Sequence, residues 1–136
     1  MTIVANLSVL VVEDEYLVAI EAERILCELG AKSVEVAATF EAAQARIAEG
    51  SFDVVILDVN LNGQMSFPLD QAAMSRGMPV VFATGYSLRN RPNTDFTGKA
   101  CVTKPYTAET LSASLALALK GRAASGAVDA GPTKPT

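Results

Sequence analysis

The sequence predicts a doubly wound α/β domain, a five-stranded parallel sheet with helices on both faces, for which the strand order 2-1-3-4-5 is expected, and three observations predict the class. Short β-branched runs alternate with longer amphipathic segments, as in a parallel sheet covered on both sides. Two of the runs, Val9-Leu10-Val11-Val12 and Val54-Val55-Ile56-Leu57, are uninterruptedly apolar, the pattern of strands buried on both faces. A length of 136 residues, 50% hydrophobic and 19% charged, suits one globular domain around one core.

The first strand, Val9 to Val12, ends in Glu13-Asp14-Glu15, so its carboxyl end is acidic. Val18, Ala22, Ile25, Leu26 and Leu29 then recur at helical spacing, and Gly30 can stop that helix in the left-handed conformation. Ser33 to Ala37 makes a short second strand. Thr39 is placed to cap a second helix, with Glu41 in its first turn, Phe40, Ala43 and Ile47 facing the sheet and Gly50 beyond its end. The third strand, Val54 to Leu57, again terminates in a carboxylate, Asp58, followed by the turn-prone Asn60-Leu61-Asn62-Gly63.

Ser66 to Arg76 reads as a third helix with Pro68 in its first turn and Gly77 at the stop. Pro79 to Ala83 is the fourth strand, which Thr84-Gly85-Tyr86 leaves as a loop. Between Ser87 and Thr97, Arg91-Pro92-Asn93 interrupts any long helical run, so the fourth helix is expected to be short or disordered. Lys99 to Thr103 gives the fifth strand, ending in Lys104-Pro105, and Thr107 caps a last helix with Leu111, Leu115, Ala118 and Leu119 on one face. The Ala-, Gly- and Pro-rich stretch from Gly121 onward lacks the apolar content to offset the entropy of ordering it. The expected division is a folded domain over residues 1–120 and a flexible tail over 121–136.

Composition removes several classes of function. Eleven basic residues against fifteen acidic ones, net −4, give no electrostatic reason for nucleic acid or an anionic membrane to bind. The absence of histidine excludes Ser-His-Asp and Cys-His catalysis, imidazole acid–base chemistry and histidine metal ligation. Cys27 and Cys101 lack a CxxC spacing and are expected to be reduced core fillers without a function. No apolar run approaches the roughly 18 residues of a membrane span, and the start of the chain has no basic leader, so a cytoplasmic location is expected.

In a sheet of this order, ligands bind at the carboxyl ends of the first and third strands, where the strand order reverses. Glu13, Asp14 and Asp58 all fall there. Close carboxylates repel by about 4 kcal/mol per pair at the effective dielectric of a protein surface, which favours a bound cation, and hard oxygen donors point to Mg²⁺. Thr84 and Lys104 leave the fourth and fifth strands at the same edge and suit phosphoryl oxygens. Each residue alone is an ordinary turn residue; five of them at one edge of four strands make a site.

These pieces, Val11-Val12-Glu13-Asp14-Glu15, Val55-Ile56-Leu57-Asp58-Val59, Phe82-Ala83-Thr84-Gly85 and Thr103-Lys104-Pro105, resemble in order and separation the receiver domains of two-component response regulators. The resemblance runs from Leu7 to about Lys120 and implies the flavodoxin-like fold. It implies that Asp58 accepts a phosphoryl group from a histidine kinase or histidine phosphotransferase. It also implies that Asp14, Asp58 and the Asn60 backbone carbonyl bind Mg²⁺, with Glu13 acting largely through water. Lys104 would pair with the phosphoryl oxygens, Thr84 would be the switch hydroxyl, and Pro105 is similar to the family's cis-proline.

One departure and one further resemblance stand out against that pattern. The aromatic residue most receivers carry three positions before the lysine is Cys101 here. Pro79 to Tyr86 resembles a subgroup with a Phe-Ala-Thr-Gly-Tyr fourth-strand motif, in which Tyr86 would replace the missing aromatic as the moving group or shield the phosphoryl group from water. The expected function is a stand-alone regulator that switches a protein-binding face, as a monomer or a phosphorylation-dependent dimer, with a downstream protein as its target. An unphosphorylated binding module and an aspartyl-phosphate hydrolase remain as alternatives, although Asn60 lacks the carboxylate that a hydrolase needs as general acid.

Overall fold

The structure, a computed structural model, describes residues 5–85 and 100–130, with side chains as far as residue 120. The chain runs β1 (Ser8–Val12), α1 (Tyr16–Glu28), β2 (Ser33–Ala37), α2 (Phe40–Glu49), β3 (Val54–Asp58), β4 (Asn60–Leu61), β5 (Gln64–Met65), α3 (Phe67–Ser75), β6 (Val80–Thr84), β7 (Ala100–Thr103) and α4 (Ala108–Ala130). Five strands pair in parallel in the order β2-β1-β3-β6-β7, and β4 and β5 form a separate antiparallel hairpin. In strand sequence the main sheet is the expected 2-1-3-4-5.

Alternation along the strands divides the core in two. Leu10, Val12, Val55, Leu57 and Phe82 face α2 and α3, where Phe67 meets Phe82 with ring centroids 5.5 Å apart. Val9, Val11, Ile56 and Val81 face α1 and α4, against Ile25, Leu26, Leu111 and Leu115. Local signals act as read from the sequence. The Thr39 side chain accepts a hydrogen bond from Ala42 N at 3.0 Å, and Thr107 Oγ1 accepts one from Thr110 N at 3.0 Å. Gly30 ends α1 at φ 95°. Arg76 holds α3 to α2 by donating to the carbonyls of Ile47, Ala48 and Gly50.

Several expectations need correction. Thr84 belongs to β6 rather than to the loop after it, because its carbonyl accepts Lys104 N at 2.9 Å and extends the pairing with β7. Asn60 to Gly63 is more than a turn, being the centre of the β4–β5 hairpin. The last helix continues through Gly121 to Ala130, ten residues past its expected end. Both cysteines are exposed rather than core fillers. Cys27 lies a helical step beyond the buried Ile25–Leu26 pair, and Cys101 alternates with Val102, whose side is the one that α4 covers. The expected fourth helix and Tyr86 lie outside the described residues. No helix among the described residues is long and apolar enough to cross a membrane.

Candidate functional site

The register of the parallel sheet assembles the site. Val12 pairs with Leu57, Asp58 with Ala83, and Thr84 with Thr103, so the carboxyl ends of four adjacent strands lie side by side. Glu13 and Asp14 follow β1, Asp58 closes β3, Thr84 closes β6 and Lys104 follows β7. The Lys104–Pro105 peptide bond is cis.

Lys104 reaches across the edge. Its Nζ donates to Glu13 Oε1 at 3.2 Å and to Asp58 Oδ2 at 3.3 Å. Glu13 and Asp58 are only 1% and 4% exposed, so one ammonium compensates two carboxylates withdrawn from water, an arrangement that a second cation would balance. Glu15 N donates to Glu13 Oε2 at 3.1 Å, Asn60 N to Asp58 Oδ1 at 3.3 Å and Asn62 N to Asp14 Oδ2 at 3.0 Å. One carboxylate oxygen from each of Glu13, Asp14 and Asp58 falls within 4.8 Å of the others.

The electrostatics record incomplete compensation. Burial, then the Asp58 charge, lifts the Glu13 carboxyl from its ordinary 4.5 to about 7, against the pull of the Glu15 amide and Lys104. Burial also raises Asp58 above the usual aspartate range although Lys104 and the Asn60 amide oppose it. Burial disfavours the Lys104 ammonium, but Asp58 and Glu13 outweigh it and Lys104 is raised. Two hydroxyls at this edge, Thr84 Oγ1 and Tyr106 OH, are buried without a hydrogen-bond partner among the described residues. Unpaired buried polar groups are rare and mark sites completed by something else, a water, an ion or a ligand.

Such an edge offers hard oxygen donors for a divalent cation, a buried carboxylate as nucleophile, and an ammonium and a hydroxyl for incoming anionic oxygens. The octahedral shell of Mg²⁺, with a radius of about 2.1 Å, spaces its oxygens by about 3–4 Å, which three donors within 4.8 Å of one another suit.

The structure brings Glu13, Asp14, Asp58, Thr84 and Lys104 to one edge, with Asn60 beside Asp58. Three contributors escaped the sequence. Ser66, fully buried, donates its hydroxyl to the Asp58 carbonyl at 2.6 Å and so fixes the backbone of the carboxylate. Asn62 acts through its amide on Asp14, 48 residues away in the chain. Tyr106 buries its hydroxyl, and burial together with the Glu13 and Asp58 charges holds its pKa far above the usual phenol range. The Asn62-Gly63 dipeptide was a legible signal for the hairpin; nothing in sequence marks Ser66 or Tyr106.

A family model described as the response regulator receiver domain matches residues 9–116. No curated protein matches the chain. Among solved structures, SdrG from Sphingomonas melonis Fr1 is 35% identical, with TM-score 0.72, covering 88% of this chain and 99% of that one. The response regulator PhyR from Brucella abortus is 26% identical with TM-score 0.73, covering 90% of this chain and 51% of that one, so this chain matches about half of that longer protein. A CheY-like receiver domain protein from Methanospirillum hungatei JF-1, 24% identical with TM-score 0.71 over 90% of this chain and 100% of that one, shares the fold.

Proposed function

The chain belongs to the response regulator receiver domain family, and from that premise we propose that Asp58 accepts a phosphoryl group from the phosphohistidine of a kinase or phosphotransferase. The observation that carries the reading is the bridge from Lys104 Nζ to Asp58 Oδ2 and Glu13 Oε1 beside the triad of carboxylate oxygens. An Asp58 carboxylate oxygen attacks phosphorus, the P–N bond breaks, the imidazole leaves and takes up a proton, and an acyl phosphate remains on Asp58. Asp14, Asp58 and the Asn60 carbonyl would hold Mg²⁺, with Glu13 acting through water. The ion, when bound, neutralises charge on the transferred group.

Lys104 would move from Asp58 Oδ2 onto a phosphoryl oxygen, and Thr84, whose hydroxyl has no partner among the described residues, would donate to another. Both contacts would be made only after transfer, so phosphorylation would have a differential hold on the end of β6. Tyr86, two residues after Thr84 in the chain, is the proposed moving aromatic in place of the one absent at Cys101. The output is a phosphorylation-dependent contact with a downstream protein in the cytoplasm. Solved neighbours include a PhyR from Bartonella quintana described as an anti-anti-sigma factor, in keeping with a protein target.

The test is intact mass after incubation with Mg²⁺ and acetyl phosphate, beside Asp58→Ala. Gain of one phosphoryl group in the wild type alone is expected. The same gain in Asp58→Ala would move the acceptor elsewhere, and no gain even with a phosphorylated histidine donor would leave an unphosphorylated binding module.

A further inference from the structure

Asp58 is followed by a hairpin that packing alone does not demand. Of its residues Asn60 to Met65, only Leu61 is buried. Its tip is a two-residue turn in which Asn62 and Gly63 both take positive φ, 51° and 90°, the combination that makes Asn-Gly the preferred sequence for such turns. Asn60 Oδ1 accepts Gly63 N at 2.6 Å and locks the tip.

The amides of the hairpin go to the acidic edge. Asn60 N donates to Asp58 Oδ1 at 3.3 Å and Asn62 N to Asp14 Oδ2 at 3.0 Å. Among the described residues, the Asn62 amide is the only hydrogen-bond partner of the Asp14 carboxylate. Asp14 stands in the loop between β1 and α1, half-buried, where an unrestrained side chain samples several rotamers. An amide fixed on one oxygen holds the group still and leaves the other oxygen for a cation, as outer partners of metal ligands do.

We propose that the tip of the β4–β5 hairpin is a positioning element for the cation, the Asn62 backbone amide orienting Asp14 before the ion arrives. The inference rests on the reading that this edge binds Mg²⁺. The side chain of Asn62 is dispensable in this role; the left-handed turn that aims its amide is what matters.

Calorimetric titration of the full chain with Mg²⁺, well below its unfolding transition, tests it. A Cβ at Gly63 would meet nothing within 4 Å, so Gly63→Val acts through backbone conformation alone: a β-branched residue is excluded from φ near +90°. The Kd for Mg²⁺ is expected to rise about tenfold, and Asn62→Val, should Gly63→Val fail to fold, is expected to do the same. Asn62→Gly keeps both the turn and the amide and is expected to bind as the wild type does. In an Asp14→Ala background, Gly63→Val is expected to change Kd no further, because the amide acts only through Asp14. An unchanged Kd in Gly63→Val and Asn62→Val, or an equal loss in Asn62→Gly, would overturn the proposal. A wild type that binds no Mg²⁺ would overturn the cation reading itself, and this inference with it.

Discussion

The interior of the sheet and its carboxyl edge are built from the same strands under opposite rules. Val9 to Val12, Val54 to Leu57 and Val80 to Ala83 are apolar and buried, and they fill both faces of the sheet. One residue further along each of these strands, the chain buries Glu13, Asp58 and Thr84 instead. The interior stabilises by removing apolar surface from water, about 25 cal/mol per Å². The edge withdraws charge and hydroxyls from water with a single ammonium in compensation, so it costs stability and keeps unsatisfied groups ready for a ligand. The fold is strong enough along β1, β3 and β6 to hold a poor arrangement at their ends.

The comparison breaks first if the interior is not the source of that strength. Ile56, fully buried on the α1 and α4 side two residues before Asp58, is the sharpest probe. Ile56→Ala is expected to lower the unfolding free energy by about 2–5 kcal/mol, read by chemical denaturation, while its folded fraction still takes up a phosphoryl group. A cost well under 1 kcal/mol would show that stability comes from elsewhere.

A smaller effect, of opposite sign, belongs to the edge. A carboxyl whose folded-state pKa lies above its unfolded value stabilises the fold below the unfolded pKa, and that contribution is lost as pH rises through the folded one. Glu13 is raised from 4.5 to about 7, and Asp58 is raised with it. Relative to Glu13→Gln, which does not titrate, the metal-free wild type is therefore expected to lose about 2–3 kcal/mol of stability across that window. Lys104, raised above an ordinary value of 10.5, does not titrate there. On the proposed reading that this edge binds Mg²⁺, saturating Mg²⁺ would select the ionised carboxylates and is expected to flatten or reverse the loss. Denaturation at several pH values in EDTA and in Mg²⁺ reads both. A constant difference between wild type and Glu13→Gln would show Glu13 to be ionised throughout and the edge well compensated.

The two regions were also unequally legible. Apolar runs, helical spacing and the Thr39 and Thr107 caps carried the positions of the strands and helices along the chain, because these are local signals that packing here reinforces. The five edge residues were legible because a strand-end position is a topological consequence, independent of side-chain detail. What the sequence concealed depends on contacts between distant segments. The Asn62 amide meets Asp14 across 48 residues, and the Ser66 hydroxyl turns from capping α3 to the Asp58 carbonyl. The cysteines are exposed, Cys27 because its helical phase falls one residue past the core and Cys101 because it lies on the face of the edge strand β7 opposite to that of Val102, which α4 covers.

A still weaker effect, at Tyr106, separates a group that costs stability from one that is merely buried. Tyr106 belongs to the α1 and α4 core, in one cluster with Val11 and Val102, while its hydroxyl is buried without a partner among the described residues. Burial, with the Glu13 and Asp58 charges behind it, keeps that hydroxyl protonated at any working pH, so it is a donor with no acceptor. Tyr106→Phe keeps the ring and deletes the donor. In EDTA the variant is expected to be more stable than the wild type by about 1 kcal/mol, the lower end of the cost of an unsatisfied buried polar group. A loss of similar size would mean that the hydroxyl is paired through an ordered water, and the edge would then be better satisfied than its direct contacts indicate. Gain or loss thus decides whether the poor arrangement at the strand ends extends down to the base of α4 or stops at Lys104.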